Sequence, residues 1–177
     1  MKFSVKTNDL HRIKSDLLIL PLPELKYANE QFQKIDRTSN HFLSKVSKEN
    51  KIGGNLKASI LLHSVGNIEA RSILLLGTTK NGECNFSDFK KTIQPSLEQI
   101  SRATNRIIAI DLRYFQLDQP EDLQQKYFFI FKEFEKTTYS YSKQTSTELI
   151  LLVDKSASSL TNKIANRGLG LAKGIRL

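Results

Sequence analysis

Six short apolar runs punctuate the chain, separated by segments of different rhythm. "KFSVK" (2–6) alternates apolar and polar positions, the mark of a half-buried strand. "DLLILPL" (16–22) is a continuous apolar run that Pro21 and Pro23 should stop. "ASILLHS" (58–64) and "RSILLLG" (71–77) flank "VGNIEA", a tight connection with Gly66 and Asn67 as its turn residues. "NRIIAIDL" (105–112) and "ELILLVD" (148–154) complete the set. The uninterrupted runs read as strands buried on both faces, as in a parallel or mixed sheet covered by helices.

Helical spacing fills the gaps. Phe32, Ile35, Phe42 and Val46 recur at helical steps, with a break at "RTSN", where Thr38 or Ser39 is placed to cap a second helix. Phe86, Phe89, Ile93, Leu97 and Ile100 form a stripe; Asn85, three residues before Asp88, marks its start, and Pro95 should kink or delay it. Leu123, Tyr127, Ile130 and Phe134 make a third stripe, with Asp118 as cap and Pro120 early in the helix, where its missing N–H costs nothing. Ile164, Gly168, Leu171 and Ile175 follow at steps of four, three and four residues and predict a last helix. "SYSKQTST" (140–147) is the one linker-like stretch. This order of elements predicts an α/β fold, a three-layer α/β/α domain with a mixed sheet of about six strands.

Composition narrows the function classes. The 177 residues suit one domain. No apolar stretch is long enough to span a membrane as a helix, so no membrane partner is expected. The first residues lack the apolar run of a secretory leader, and one cysteine, Cys84, excludes an internal disulfide; a cytoplasmic location is expected. The net charge is +9, with eleven Lys/Arg against six Asp/Glu in residues 1–60. That balance permits binding to nucleic acid without requiring it.

The residues that carry chemistry are sparse. His11, His41 and His63 are scattered, without the spacing of metal ligands. His63 ends a strand and reads as a histidine at a sheet edge; Ser64 beside it points to the opposite face, so the two form no catalytic pair. Cys84 sits in a turn, "NGECN", and reads as an exposed or half-buried thiol. In "GLGLAKG", Gly168, Gly170 and Gly174 lie inside a helix and far from a strand, so they signal close helix packing rather than a dinucleotide loop. "GTTKNG" is the better phosphate candidate, with Gly77 and Gly82 around the hydroxyls of Thr78 and Thr79, although an ordinary connecting loop explains it as well. Asp111 and Asp154 end strands, where α/β sheets place ligands, and capping accounts for both. Lys45, Lys48, Lys51 and Lys57 cluster around Gly53 and Gly54. If these four meet phosphates, the slope of log K against log salt is about −3 to −4. No aromatic residue accompanies them to read bases.

One segment changes the picture. "NLKASILLHSVGNIEARSILLLGTTK" (55–80) resembles a signature of the N-terminal domain of the leucyl aminopeptidase (cytosol aminopeptidase) family, with Leu61, Leu62, His63, Arg71, Gly77 and Lys80 in its places. "MKFSV", the strand order and "GLAKGIRL" are similar too, while Thr78, Thr79 and Pro95 depart from the pattern. The resemblance implies a macro-domain-like fold over 1–157 and a helix, 158–177, leading toward a C-terminal catalytic domain. It implies no catalytic, cofactor or metal residue in this chain; two divalent metal ions, Zn or Mn, belong to the catalytic domain. The function implied is non-catalytic: support of a homohexamer and of access to the active sites of a metallopeptidase. Some bacterial members of the family also bind DNA. Two other readings stay open: a nucleic-acid-binding module using the four lysines, and a macro-like domain binding ADP-ribose.

Overall fold

The computed structural model describes residues 2–102, 107–115, 120–141 and 147–174. The strands are β1 (Lys2–Lys6), β2 (Ser15–Leu22), β3 (Ser59–His63), β4 (Ala70–Gly77), β5 (Ile107–Asp111) and β6 (Glu148–Leu152). The helices are α1 (Glu30–Thr38), α2 (Phe42–Glu49), α3 (Phe86–Arg102), α4 (Pro120–Tyr141) and α5 (Ser158–Gly174). The strands form one mixed sheet in the order β1-β6-β5-β2-β4-β3. Only β3 runs antiparallel to its neighbour, β4. The expected strands, helices and three layers are all present.

Alternation explains why the strands are apolar throughout. Leu17, Ile19, Leu74, Leu76, Ile108 and Ile110 face one core with residues of α3, α4 and α5. Leu18, Leu20, Leu22, Ile73, Leu75 and Ala109 face the other with Phe32 and Ile35 of α1 and Leu43 of α2. Successive side chains point to opposite sides, and helices cover both. Burying one such Leu or Ile contributes roughly 1.5–3 kcal/mol.

Three local expectations are corrected. Strand β2 does not stop at Pro21 but runs through it to Leu22. Pairing with β5 covers Leu17–Ile19 only, so Pro21 lies beyond it, with β4 alongside. A missing N–H is tolerated where a strand has one neighbour. Second, neither Thr38 nor Ser39 caps α2. His41 holds the cap position in the left-handed conformation, and the Asp36 carboxylate accepts the Ser44 N–H at 2.8 Å. Third, Pro95 does not delay α3, which starts at Phe86 and continues through it, with Phe89, Ile93, Leu97 and Ile100 buried on either side. Other expectations hold: Asn85 Oδ1 accepts the Asp88 N–H at 2.9 Å, and Pro120 opens α4. Asp118, Ser142–Ser146 and Ile175 lie outside the described residues. Helix α5 packs on α4, where Gly168 faces Phe131 and Tyr127 Oη lies 3.3 Å from Thr161 Oγ1.

Gly77 closes β4 beneath a loop rather than turning the chain. Its N–H donates to the Ala58 carbonyl at 2.8 Å, and a Cβ there would strike the carbonyl oxygens of Asn55 and Ile52. Backbone cannot move aside as a side chain can. Gly77→Ala should therefore destabilise by roughly 1–3 kcal/mol. Gly170→Ala on α5, with no atom within 4 Å of the added carbon, should be neutral or gain up to about 1 kcal/mol. Urea melts of both variants check this; equal midpoints would contradict the close approach at Gly77.

Candidate functional site

Strands β2, β4, β5 and β6 run parallel, so their C-terminal ends share one edge of the sheet. After β2 the chain passes by α1 and α2 to β3 and β4 on one side, then returns by α3 to β5 on the other. Such a reversal opens a crevice at the strand ends. A cavity of about 800 Å³ lies there. The segment after β2 supplies Asn29 and Glu30, the one after β4 supplies Glu83 and Asp88, and those after β5 and β6 supply Arg113, Tyr114 and Asp154.

Arg113 organises this edge. Its side chain is 3% exposed. One terminal nitrogen, Nη2, donates to the Asn8 carbonyl at 2.9 Å, and Nη1 lies 3.5 Å from Asp111 Oδ1. Nε lies 3.5 Å from Asp154 Oδ1. The guanidinium thus ties the segment after β1 to the ends of β5 and β6. Asp111 and Asp154, unrelated in sequence, meet on one cation. Tyr114 Oη accepts the Asn29 N–H at 2.7 Å, and burial raises its phenol above the usual range.

The cavity is acidic in a basic chain. Glu30, Glu83, Asp88 and Asp154 line it, against the single guanidinium of Arg113. Two helices begin at its wall, but their N-termini are already occupied. Asn29 Oδ1 accepts the Phe32 N–H of α1 at 2.9 Å, and Asn85 caps α3 in the same way. Glu30 and Asp88 stand in the respective first turns, facing the positive helix ends. Lys34 lies 3.1 Å from Glu30 and Lys91 3.6 Å from Asp88. Among the described residues, this lining sets four carboxylates against one guanidinium, a balance that opposes a diphosphate.

The phosphate reading of "GTTKNG" loses its donors here. Thr78 is buried, its hydroxyl donates to the Thr79 carbonyl at 3.1 Å, and its N–H donates to the Leu22 carbonyl. Thr79 Oγ1 donates to the Glu83 carbonyl at 2.7 Å. The loop holds itself. Cys84 is buried at 8% exposure rather than exposed or half-buried, because the segment folds inward over the Lys126 ammonium, which donates to the Cys84 carbonyl at 2.9 Å. Burial raises the thiol's pKa, which suppresses the thiolate.

The remaining candidates lie apart. His63 Nδ1 sits 2.8 Å from Ser72 Oγ across the β3–β4 edge, and His41 Nδ1 sits 3.0 Å from Asp36 Oδ2. Among the described residues, no group of three or more His, Cys, Asp or Glu side chains is placed to hold a metal ion. Lys45 and Lys48 on α2, with Lys51 and Lys57 after it, are all exposed, and among the described residues none forms an ion pair. Sequence reasoning marked Asp111 and Asp154 as strand ends but missed Arg113, Tyr114 and Asn29. Only the fold brings Asn29 to the neighbouring pair Arg113 and Tyr114.

Burial raises the Asp111 carboxyl from 3.8 to about 6, while Arg113 pulls it down. The folded state holds this proton more tightly than the unfolded chain does. The resulting stabilisation is complete below the unfolded value of 3.8 and is lost as pH rises through about 6. Its size is at most about 3 kcal/mol. Asp111→Asn should therefore flatten the pH dependence of the urea midpoint across this window relative to wild type. Parallel profiles would contradict a titrating buried carboxyl at this position.

Comparison with known proteins places the chain. A model of the cytosol aminopeptidase family, N-terminal domain, matches residues 19–148. A probable cytosol aminopeptidase of Pasteurella multocida (strain Pm70) is 26% identical over 182 residues, a match covering 99% of this chain and 36% of that protein. A tomato leucine aminopeptidase variant superposes with a TM-score of 0.71 at 16% identity, covering 100% of this chain and 37% of that one. A Trypanosoma brucei macrodomain in complex with ADP gives a TM-score of 0.69 at 11% identity, covering 92% of this chain and 68% of that one. At these identities the structural likenesses establish the fold. The chain thus spans little more than a third of the length of the aminopeptidases it matches. Because the family model covers most of its residues, the chain belongs to the cytosol aminopeptidase family, as an N-terminal domain.

Proposed function

We propose that this chain is a non-catalytic accessory domain of a leucyl-aminopeptidase-type metallopeptidase. In this reading it supports a homo-oligomer, a hexamer, and shapes access to active sites on a C-terminal catalytic domain, toward which the helix from residue 158 leads. The observation that carries the reading is the family match over residues 19–148 in a chain that spans 36% of its relative's length. The metal ions such a peptidase uses, two Zn or Mn ions, belong in this reading to the catalytic domain. Among the described residues, no group of three or more His, Cys, Asp or Glu side chains is placed to hold such ions.

A second reading draws on the unpaired lysines. Lys45, Lys48, Lys51 and Lys57 would attract a DNA backbone, with binding that fades as salt rises. The ADP-ribose reading is the least supported, since four carboxylates line the cavity at the strand ends.

The chain alone should not hydrolyse leucine p-nitroanilide with Mn²⁺ or Zn²⁺ added. The assay is run across the gel-filtration peak of the pure protein. Metal-dependent turnover that follows the peak would overturn the accessory reading.

A further inference from the structure

A second concave surface lies away from the strand-end cavity, between α1, α2 and the 3₁₀ turn Leu25–Tyr27. It encloses about 380 Å³. The α1–α2 connection makes it. Asn40 and His41 both have positive φ, 54° and 59°, and reverse the chain within a few residues, so that the second helix returns beside the first. The floor is aliphatic and aromatic: Leu25, Ala28 and the edge of Phe32. Leu25 and Ala28 are only partly buried, so apolar surface remains open to solvent.

The rim is cationic. Arg37 and Lys48 line the groove from its two helices, and Lys45 stands exposed one turn before Lys48. Arg37 Nε donates to the Gln33 carbonyl at 3.2 Å, which lays the guanidinium along the wall. Among the described residues, none of the three cations forms an ion pair. Lys34, on the same helix as Arg37, differs, with Glu30 and Asp9 beside it. Among the described residues, the only acidic side chain lining the groove, Asp36, is buried and engaged: Oδ1 accepts the Ser44 N–H at 2.8 Å, and Oδ2 lies 3.0 Å from His41 Nδ1. The groove therefore presents an apolar floor under uncompensated positive charge.

We propose that this groove docks an acidic peptide segment, one apolar side chain seated on Leu25, Ala28 and Phe32 and flanking carboxylates on Arg37 and Lys48. Charge complementarity selects the sign of the partner. The floor selects a peptide over a nucleic acid. Phe32 is 4% exposed and offers no face on which a base could stack, and a phosphate backbone would leave the aliphatic floor wet. A Leu-like side chain fills such a floor, and recognition of acidic motifs by basic clusters needs few further contacts. This surface is distinct from the peptidase reading and does not rest on it.

The test uses fluorescence anisotropy on the whole chain at about 150 mM salt. The probes are a labelled short peptide with one Leu among Asp and Glu, the same peptide with Lys replacing the acids, and a labelled DNA duplex. The acidic peptide should bind at least about tenfold tighter than its lysine counterpart, and Arg37→Glu/Lys48→Glu should weaken it by about tenfold or more. Ser44→Phe, which fills the groove, should cost the peptide about tenfold and leave the duplex unaffected. Gln33→Phe serves the same purpose from α1 should Ser44→Phe fail to fold, judged by its urea midpoint. Absence of acidic-peptide binding, groove-filling variants that leave the peptide's affinity unchanged, or a duplex that binds tighter than the peptide and is lost with the same variants would each overturn the proposal.

Discussion

Strand β2 is the constraint on which the other elements depend. It is paired by β4 on one edge and by β5 on the other, and its alternate side chains feed both cores. Leu17, Leu18, Ile19, Leu20 and Leu22 are each at most 1% exposed. From Leu17 to Leu22 a strand so enclosed carries only apolar side chains, and its register is fixed through both neighbours. Because β4, β5 and β6 run parallel to it, the segments after these strands collect at one edge, and the cavity there follows from the topology.

The fold was legible in the sequence because its signals are local. Runs such as "SILLL" and stripes such as Phe89–Ile93–Leu97 each state a period and a burial without reference to distant residues. The failures were of another kind. Pro21 stops a strand only if both of its edges are paired, and the sequence does not say that β5 pairing ends at Ile19. The cap of α2 comes from Asp36, behind a left-handed turn, rather than from the nearest hydroxyls. Cys84 in a polar turn reads as accessible until Lys126, forty-two residues on, is seen holding its carbonyl.

The site was less legible because it is assembled by strand order. Asp111 and Asp154 were visible as strand ends, but Arg113 between them, reaching also to Asn8, joins three segments that no spacing connects. Charge shows the same limit. A net charge of +9 says nothing of where the charges lie: the strand-end cavity is lined with carboxylates while unpaired cations gather around α1 and α2. The sign of a local field is set by placement, not by totals.

The central claim is that this domain keeps a macro-like fold without nucleotide chemistry at its strand ends. The carboxylates of Glu30, Glu83, Asp88 and Asp154 oppose a diphosphate, the hydroxyls of Thr78 and Thr79 are turned onto their own loop, and both adjoining helix N-termini are capped from within. Calorimetric titration of the chain with ADP-ribose tests this most directly. The account predicts no saturable heat at any accessible ligand concentration; a stoichiometric isotherm with a low-micromolar Kd would contradict it.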